Sequence, residues 1–402
     1  MLTPRQLQEI VETMYPMLDD LNTWITKDLI KRLMARLGRG EKAVLGASDE
    51  WQMQVLQSAG GHLEAVQREV ARFTELADAE IARIFEDAGI KALAADNMVY
   101  VRAGMEELAL SEGMVQILAD TYQRTLGTVH NLTRTTATES QRKLIRLLDE
   151  AHMRVITGAQ SYTAAVEDIV KAASAEESHV IYPSGHVDTV EVAVLRAVRT
   201  GTAQASGNMS LQGMIDRDWD LIRVSAHLGA RYGDGGENPG NHFWWQGKLY
   251  SRTGRTPGYP LFEQATGYGT GEGCCGWNCR HSFGPGDPNH NPFKDYDAEE
   301  NKKAYDLSQR QRRMERAVKA SKHKLVGLRE AIDTAEDAAV KAKLEAQYAS
   351  VSSLLGRQNT AYNEFCEKND LKRLADRLQI ARWTREDARR SILAAREKSK
   401  AS

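Results

Sequence analysis

The chain predicts an α+β fold that is predominantly helical. It reads as an N-terminal helical region over 1–177, a small mixed α+β module over 178–295 and a C-terminal helical hairpin over 296–402. Three observations carry this reading. Apolar residues recur at three- and four-residue spacing with charges between them through the first and last regions, as in LEAVQREVARFTELADAEIARIFEDAGI. Near residue 178 the pattern changes to short runs rich in β-branched residues. Glycine and proline then crowd a long stretch that ends near Pro292.

The elements follow in order. In the first region Gly60–Gly61, Gly104 and the polar cluster Asn131–Thr138 read as helix breaks. A further helix through SQRKLIRLLDEAHMRVITG is expected to be capped by Ser140 or Thr138 and ended by Gly158. HVIYPSG predicts a short strand with a turn, DTVEVAVLRAVRTGTAQASGNMSLQGMIDRDW a helix, and DLIRVSAH a short buried strand. Turn signals at GDGGENPGN, TPGYP and GPGDPNHNP mark loop sequence to Pro292; a loop that long inside a domain points to function or to further short strands. From Tyr296 the helical pattern returns through QRQRRMERAVKASKHK, a long charged helix, and LKRLADRLQIARWTREDARRSILAA. Tyr362, Phe365, Leu371, Leu374 and Leu378 are expected to pack the hairpin.

With 402 residues, 42% hydrophobic and 27% charged, the composition is that of an ordinary soluble protein of two or three domains. The opening MLTPRQLQEIVETMYPMLDDL lacks the basic start and apolar run of a secretory signal, and no stretch approaches eighteen uncharged apolar residues. Three of the four cysteines cluster at Cys274, Cys275 and Cys279, which suits a reducing compartment or a local site rather than a disulfide framework. Charge is unevenly spread. Residues 296–402 hold 24 basic and 17 acidic side chains, about +7, after a body near −9. Such a split points to separate partners, or to a polyanion at one end.

The segment from Ser225 to Phe283 concentrates histidine, cysteine, arginine, lysine, glycine and aromatics. Its motifs DLIRVSAHLGAR, WQGKLYS, YPLF, TGYGTGEG and CGWNCRHSF, in that order, closely resemble the tailed-phage minor capsid protein family, which is related to head-morphogenesis proteins that associate with the portal. Upstream, NLTRTTAT, LLDEAHMRVITGAQSY and YPSGH are similar to that family's central region; downstream, YDLSQRQRRMERAVKASK and KNDLKRLADRLQIA are similar to its later segments. The resemblance implies a structural, low-copy virion protein at or near the portal vertex, made in the host cytoplasm before assembly. Its implied partners are the portal protein, other head or scaffold proteins and packaged double-stranded DNA, with no membrane. The chain departs from the family pattern in the long YGDGGENPGNHFW link, in His186, in the extra Cys274 and in SFGPGDPN.

Several chemistries are compatible with these residue types. Cys275, Cys279 and His281, with His227 or His242, supply zinc ligands, although C-x3-C-x-H is not the paired knuckle spacing; the same cysteines can equally be small buried residues packed on Trp277 and Phe283. An RNase-like or ribosyl-transfer enzyme would draw on His227, Arg231, Lys248 and His281, with Tyr250, Arg252 and Arg280 nearby, a histidine moving the proton and the cations stabilising phosphate. GYGTGEG offers backbone N–H groups but lacks the GK[ST] ending of a phosphate loop. On the C-terminal helix Arg312, Arg316 and Lys319, widened by Arg313 and extended by Lys322, form a cationic stripe suited to DNA phosphates or an acidic protein surface.

Overall fold

A computed structural model describes residues 1–175, 178–182 and 184–401. The expected boundary at 177/178 touches residues outside this set, and so does the proline of the expected YPSG turn. Among the described residues the fold is predominantly helical α+β, with two small antiparallel sheets. In chain order it runs α1 (Pro4–Glu12), α2 (Tyr15–Leu37), α3 (Glu41–Val44), α4 (Ser48–Arg102), α5 (Glu112–Ile156), α6 (Tyr162–Ala175), β1 (His179–Ile181), β2 (Val187–Thr189) and α7 (Val190–Asp216). There follow β3 (Leu221–Val224), α8 (His242–Trp245), β4 (Leu249–Ser251), α9 (Phe262–Thr266), β5 (Phe283–Pro285), α10 (Ala298–Thr334), α11 (Ala338–Lys368), a 3-10 turn at Ala375–Leu378 and α12 (Arg385–Ala401). Among the described residues no helix is long and apolar enough to cross a membrane.

The chain divides into two compact units, each assembled from three segments. Unit 1 comprises Met1–Tyr15, Glu75–Asn131 and Val192–Gln309; unit 2 comprises Pro16–Thr74, Leu132–Glu191 and Arg310–Ser402. In unit 1, α1 starts at Pro4 behind a capping box in which Thr3 and Gln6 satisfy each other's backbone N–H groups, and it buries Leu7, Ile10 and Val11. Helix α7 is rich in glycine, alanine and serine because neighbours approach closely: a Cβ at Gly201 would collide with Thr125 and lie 3.2 Å from the Phe85 ring. The three-stranded sheet has order β4-β3-β5, with Ile222 opposite Tyr250 on one side and Pro285 on the other. Pro285 has no N–H to give a further strand, which suits its place on an edge.

Unit 2 is a helical assembly with the β1–β2 hairpin. Its core joins Leu29, Ile30 and Leu33 of α2, Leu144, Leu147 and Leu148 of α5, Val166 and Ile169 of α6, and Leu325, Leu328 and Leu344 of α10 and α11. The α10–α11 hairpin turns over three residues, and Asp337 caps α11 by accepting from Ala339 and Val340 N–H. Within this apolar interior lies a buried ionic cluster. Asp19 accepts from Lys319 Nζ at 3.2 Å, from His323 Nε2 at 3.1 Å and from the Ala381 backbone N–H, while Lys319 also reaches Glu191 at 2.8 Å. Burial drives the Asp19 carboxyl upward, but the bond and charge of His323, the charge of Lys319 and the Ala381 N–H outweigh it and hold the group below its usual range.

Four expectations need correcting. Gly60–Gly61 does not break α4: Trp51, Val55, Ala59, His62 and Val66 keep one buried face at helical spacing across the pair, and a Cβ at Gly61 would meet only the flexible Arg32 guanidinium, at 2.8 Å. Asn131–Thr138 lies inside α5, where Thr133 and Thr136 are buried and the Thr135 and Thr136 hydroxyls bond back to the Leu132 carbonyl. Neither Ser140 nor Thr138 therefore starts a helix; Ser140 instead bonds His62 Nε2 at 2.8 Å. At the C-terminus the helical pattern is interrupted between Lys368 and Arg385, with only the 3-10 turn between. Gly104 and Gly158, both at positive φ, do follow the ends of α4 and α5.

The Asp19 cluster predicts a pH-dependent stability. Asp19→Asn leaves Lys319 and His323 short of a buried counter-charge, and its expected cost is about 3–5 kcal/mol near neutral pH. Because the native carboxyl titrates below its unfolded value of 3.8, this stabilisation is present above that value and disappears as pH falls through the native one. Urea melts of wild type and variant should diverge at pH 7 and draw together as pH falls below 3.8.

Candidate functional site

The residues singled out by composition lie in the loop-rich part of unit 1 around the three-stranded sheet. Arg223, in the middle of β3, is buried, and its guanidinium donates to the Gly247 carbonyl and the Asp287 carbonyl, both at 2.9 Å. It thereby holds the loops on either side of the strand. The turn after β4 is organised by Asp220, whose carboxylate accepts from the hydroxyls of Ser251 (2.6 Å), Thr253 (2.7 Å) and Thr256 (2.5 Å) and from Thr253 N–H (3.0 Å). Burial pushes this carboxyl up, yet the donors hold it far below the carboxylate range. The SRTGRT motif is a hydrogen-bonded turn built on one aspartate.

SAHLGAR follows β3 as a turn. Gly229 and Ala230 N–H both donate to Asn301 Oδ1, and Asn301 Nδ2 donates back to the Ala230 carbonyl. His227 donates its backbone N–H to Gln246 Oε1 at 3.0 Å, and its ring stacks on His281 at 4.7 Å with planes 25° apart. Burial, then His281 and Arg280, push the His227 imidazole far down, so it is neutral at physiological pH. Arg231 donates to the Trp277 carbonyl at 2.9 Å, whereas Lys248 is exposed and lies over the Trp244 ring at 5.4 Å. Of the four residues named for an enzyme, His227 and His281 touch, while Arg231 and Lys248 are occupied elsewhere. Tyr250 is buried and donates to the Trp245 carbonyl, and Arg252 donates to the Trp219 carbonyl.

The cysteine segment folds back on the glycine loop. Cys274 N–H donates to the Thr266 carbonyl at 2.9 Å and Trp277 N–H to the Gly271 carbonyl at 2.6 Å. A Cβ at Gly273 would overlap the Gly267 carbonyl oxygen, and one at Gly276 would overlap that of Gly271. These glycines allow backbone to cross backbone. Cys275 donates to the His281 carbonyl at 3.6 Å, and Cys279 Sγ lies 3.6 Å from His281 Nδ1. Among the described residues, His242, Cys279 and His281 bring their ligand atoms within 4.8 Å of one another, all buried. Thus His242, rather than His227, completes the group with Cys279 and His281. Its place in the cluster has no sequence signal beyond residue type, nor have those of Gln246 and Asn301.

The cationic stripe on α10 is divided by the fold. Arg313 and Arg316 are exposed, and Arg312 is half-buried near Glu315. Lys319 is taken up by Asp19 and Glu191, and Lys322 donates to the Leu378 carbonyl beside the Trp383 ring. The four- and three-residue steps that align Arg312, Arg316 and Lys319 on one face are real, but the helix axis carries the last turns of the stripe into the core of unit 2.

A family model described as phage minor capsid protein 2 matches residues 2–355. Neither a curated protein nor a solved structure matches the chain significantly.

The backbone crossing at Gly273 separates two kinds of glycine. Gly273→Ala should destabilise the loop by at least about 2 kcal/mol, since the obstructing atom is main chain and cannot rotate away. Gly127→Ala, inside α5 with nothing near the new methyl, should stabilise by up to about 1 kcal/mol. Denaturant melts of the two variants should move in opposite directions.

Proposed function

The chain belongs to the phage minor capsid protein 2 family, and from that premise we propose that this structural head protein docks at or near the portal vertex, through unit 1. The observation that carries docking is a strip on α4. Ile90, Met98 and Val101, with Ala94 between them, lie on one helical face and are 62%, 65% and 50% exposed, while Ala92, Asp96 and Tyr100 on the opposite face are buried. A row of exposed apolar side chains marks a surface that another protein covers. In a virion head component that cover is a neighbouring head protein, and the resemblance of the SAHLGAR-to-CRHSF motifs to a minor capsid family related to portal-associated head-morphogenesis proteins supports the portal as the neighbour. The structural reading is preferred to a nuclease or ribosyl-transfer enzyme because His227, Arg231 and Lys248 are each committed to a different local contact.

Contact with packaged DNA forms the second part of the proposal. With Lys319 and Lys322 engaged inside unit 2, it rests on the exposed Arg313 and Arg316 of α10. Two phosphate contacts give a shallow dependence on salt, with log K falling by roughly 1.8 per decade.

Docking predicts that Ile90→Glu together with Met98→Glu abolishes recovery of the protein with co-expressed portal protein, while helical content and melting temperature stay at wild-type values. Cryo-electron microscopy of the wild-type co-expression should place density at the portal. A soluble monomer that ignores the portal would sink the reading. For DNA, titrating a duplex between about 50 and 200 mM salt should give the shallow slope stated above. Arg313→Ala with Arg316→Ala should flatten it, and an unchanged slope removes this helix as the DNA surface.

A further inference from the structure

We propose that His242, Cys279 and His281 form a buried three-residue site for one divalent transition-metal ion of the zinc class. The argument begins with which ring nitrogens carry hydrogen. His242 Nε2 lies 2.8 Å from the Glu272 carbonyl oxygen, which can only accept, so in the neutral ring Nε2 holds the hydrogen and Nδ1 is a bare lone pair. His281 Nε2 lies 3.0 Å from Gln246 Oε1. That oxygen also accepts the His227 backbone N–H at 3.0 Å, which fixes it as the oxygen end of the amide. His281 Nε2 therefore carries hydrogen too, and its Nδ1 lone pair faces Cys279 Sγ.

Two imidazole lone pairs thus share a buried site with one thiol. The three residues are 2%, 2% and 1% exposed, so the cluster is shut off from bulk solvent. A single S–H proton satisfies at most one of the two lone pairs, and an unsatisfied buried acceptor is costly. A metal ion satisfies all three groups at once. Zinc–nitrogen bonds of about 2.0–2.1 Å and a zinc–sulfur bond of about 2.3 Å place N and S on adjacent tetrahedral corners about 3.6 Å apart. The His281 Nδ1 to Cys279 Sγ separation is 3.6 Å. The wider pairs in the cluster, up to 4.8 Å, close by about 1 Å on binding.

The surroundings are those of a ligated site. Each histidine has its far nitrogen held by an oxygen acceptor, the arrangement that orients metal-binding imidazoles. Cys279 Sγ accepts the His281 backbone N–H at 3.3 Å, which stabilises a thiolate. The Trp245 ring packs on both histidines, at 4.6 and 4.8 Å, and seals the cluster. Cys274 also hydrogen-bonds Cys279. A thiolate with two imidazoles selects zinc-class ions over magnesium or calcium. On binding, the divalent ion takes the Cys279 sulfur lone pair and the thiol proton leaves to solvent. The bond would tie α8 to the strand entry at β5 across the intervening loop.

The test uses the full chain, purified under reducing conditions from zinc-supplemented cells, with metal measured by inductively coupled plasma mass spectrometry. About one equivalent of zinc is expected, falling at least tenfold in Cys279→Ser and in His242→Ala and staying near one in His227→Ala. Since a ligand variant can fail to fold, the wild-type protein is also stripped with chelator and titrated with cobalt(II). A tetrahedral d–d spectrum with a thiolate charge-transfer band, saturating at one equivalent, is expected. Wild-type protein without metal and without that band would overturn the proposal, and so would metal lost in His227→Ala but kept in His242→Ala.

Discussion

The close approach of β5 to α7 is the constraint on which the loop-rich half of unit 1 depends. A glycine at 207 leaves a notch in α7, and the Phe283 ring sits in it; a Cβ there would lie 2.7 Å from the ring. Phe283 then meets Phe262 at 4.6 Å and Tyr268 at 4.9 Å, so β5, α9 and the glycine loop are set by one aromatic contact. The residues just before it inherit their positions. Ser282 donates its hydroxyl to the Leu2 carbonyl and its backbone N–H to Ser225 Oγ at 3.0 Å, while its own carbonyl accepts from Ser225 N–H at 2.9 Å. His281 and Cys279 are thereby carried under Trp245 and beside His242.

Polar groups in this protein are consumed by architecture. Asp220 orders a turn, Arg223 ties two loops, Asn301 holds the SAHLGAR turn, and Asp19 gathers Lys319, His323 and a backbone amide. Each is a charged or amide group buried with its partners, the condition under which burial is tolerable. Residue types that suggest catalysis when read in a line are used here to fix irregular backbone. That fits a structural member of a phage minor capsid protein family.

The same economy alters the reading of charge. A segment of net positive charge need not present its cations. On α10, Arg313 and Arg316 remain outside, while Lys319 and Lys322 end in the interior, where a carboxylate pair and a carbonyl receive them. Helical spacing fixes which residues share a face, and packing decides which length of that face meets water.

By itself the sequence determined the helical class, the positions of α7 and β3, the ends of α4 and α5 at Gly104 and Gly158, and the family, because periodicity, αL glycines and ordered motifs are local. Tertiary structure decided the rest. Gly60–Gly61 and Asn131–Thr138 look like breaks until the burial of one face of α4 and of the threonine hydroxyls of α5 outweighs the local signal. The interleaving of two units from six segments, and the choice of His242 over His227 beside Cys279, depend on contacts between residues far apart in the chain. Local propensity carries no information about which distant side chain will arrive at a given point, since that is set by how the elements pack.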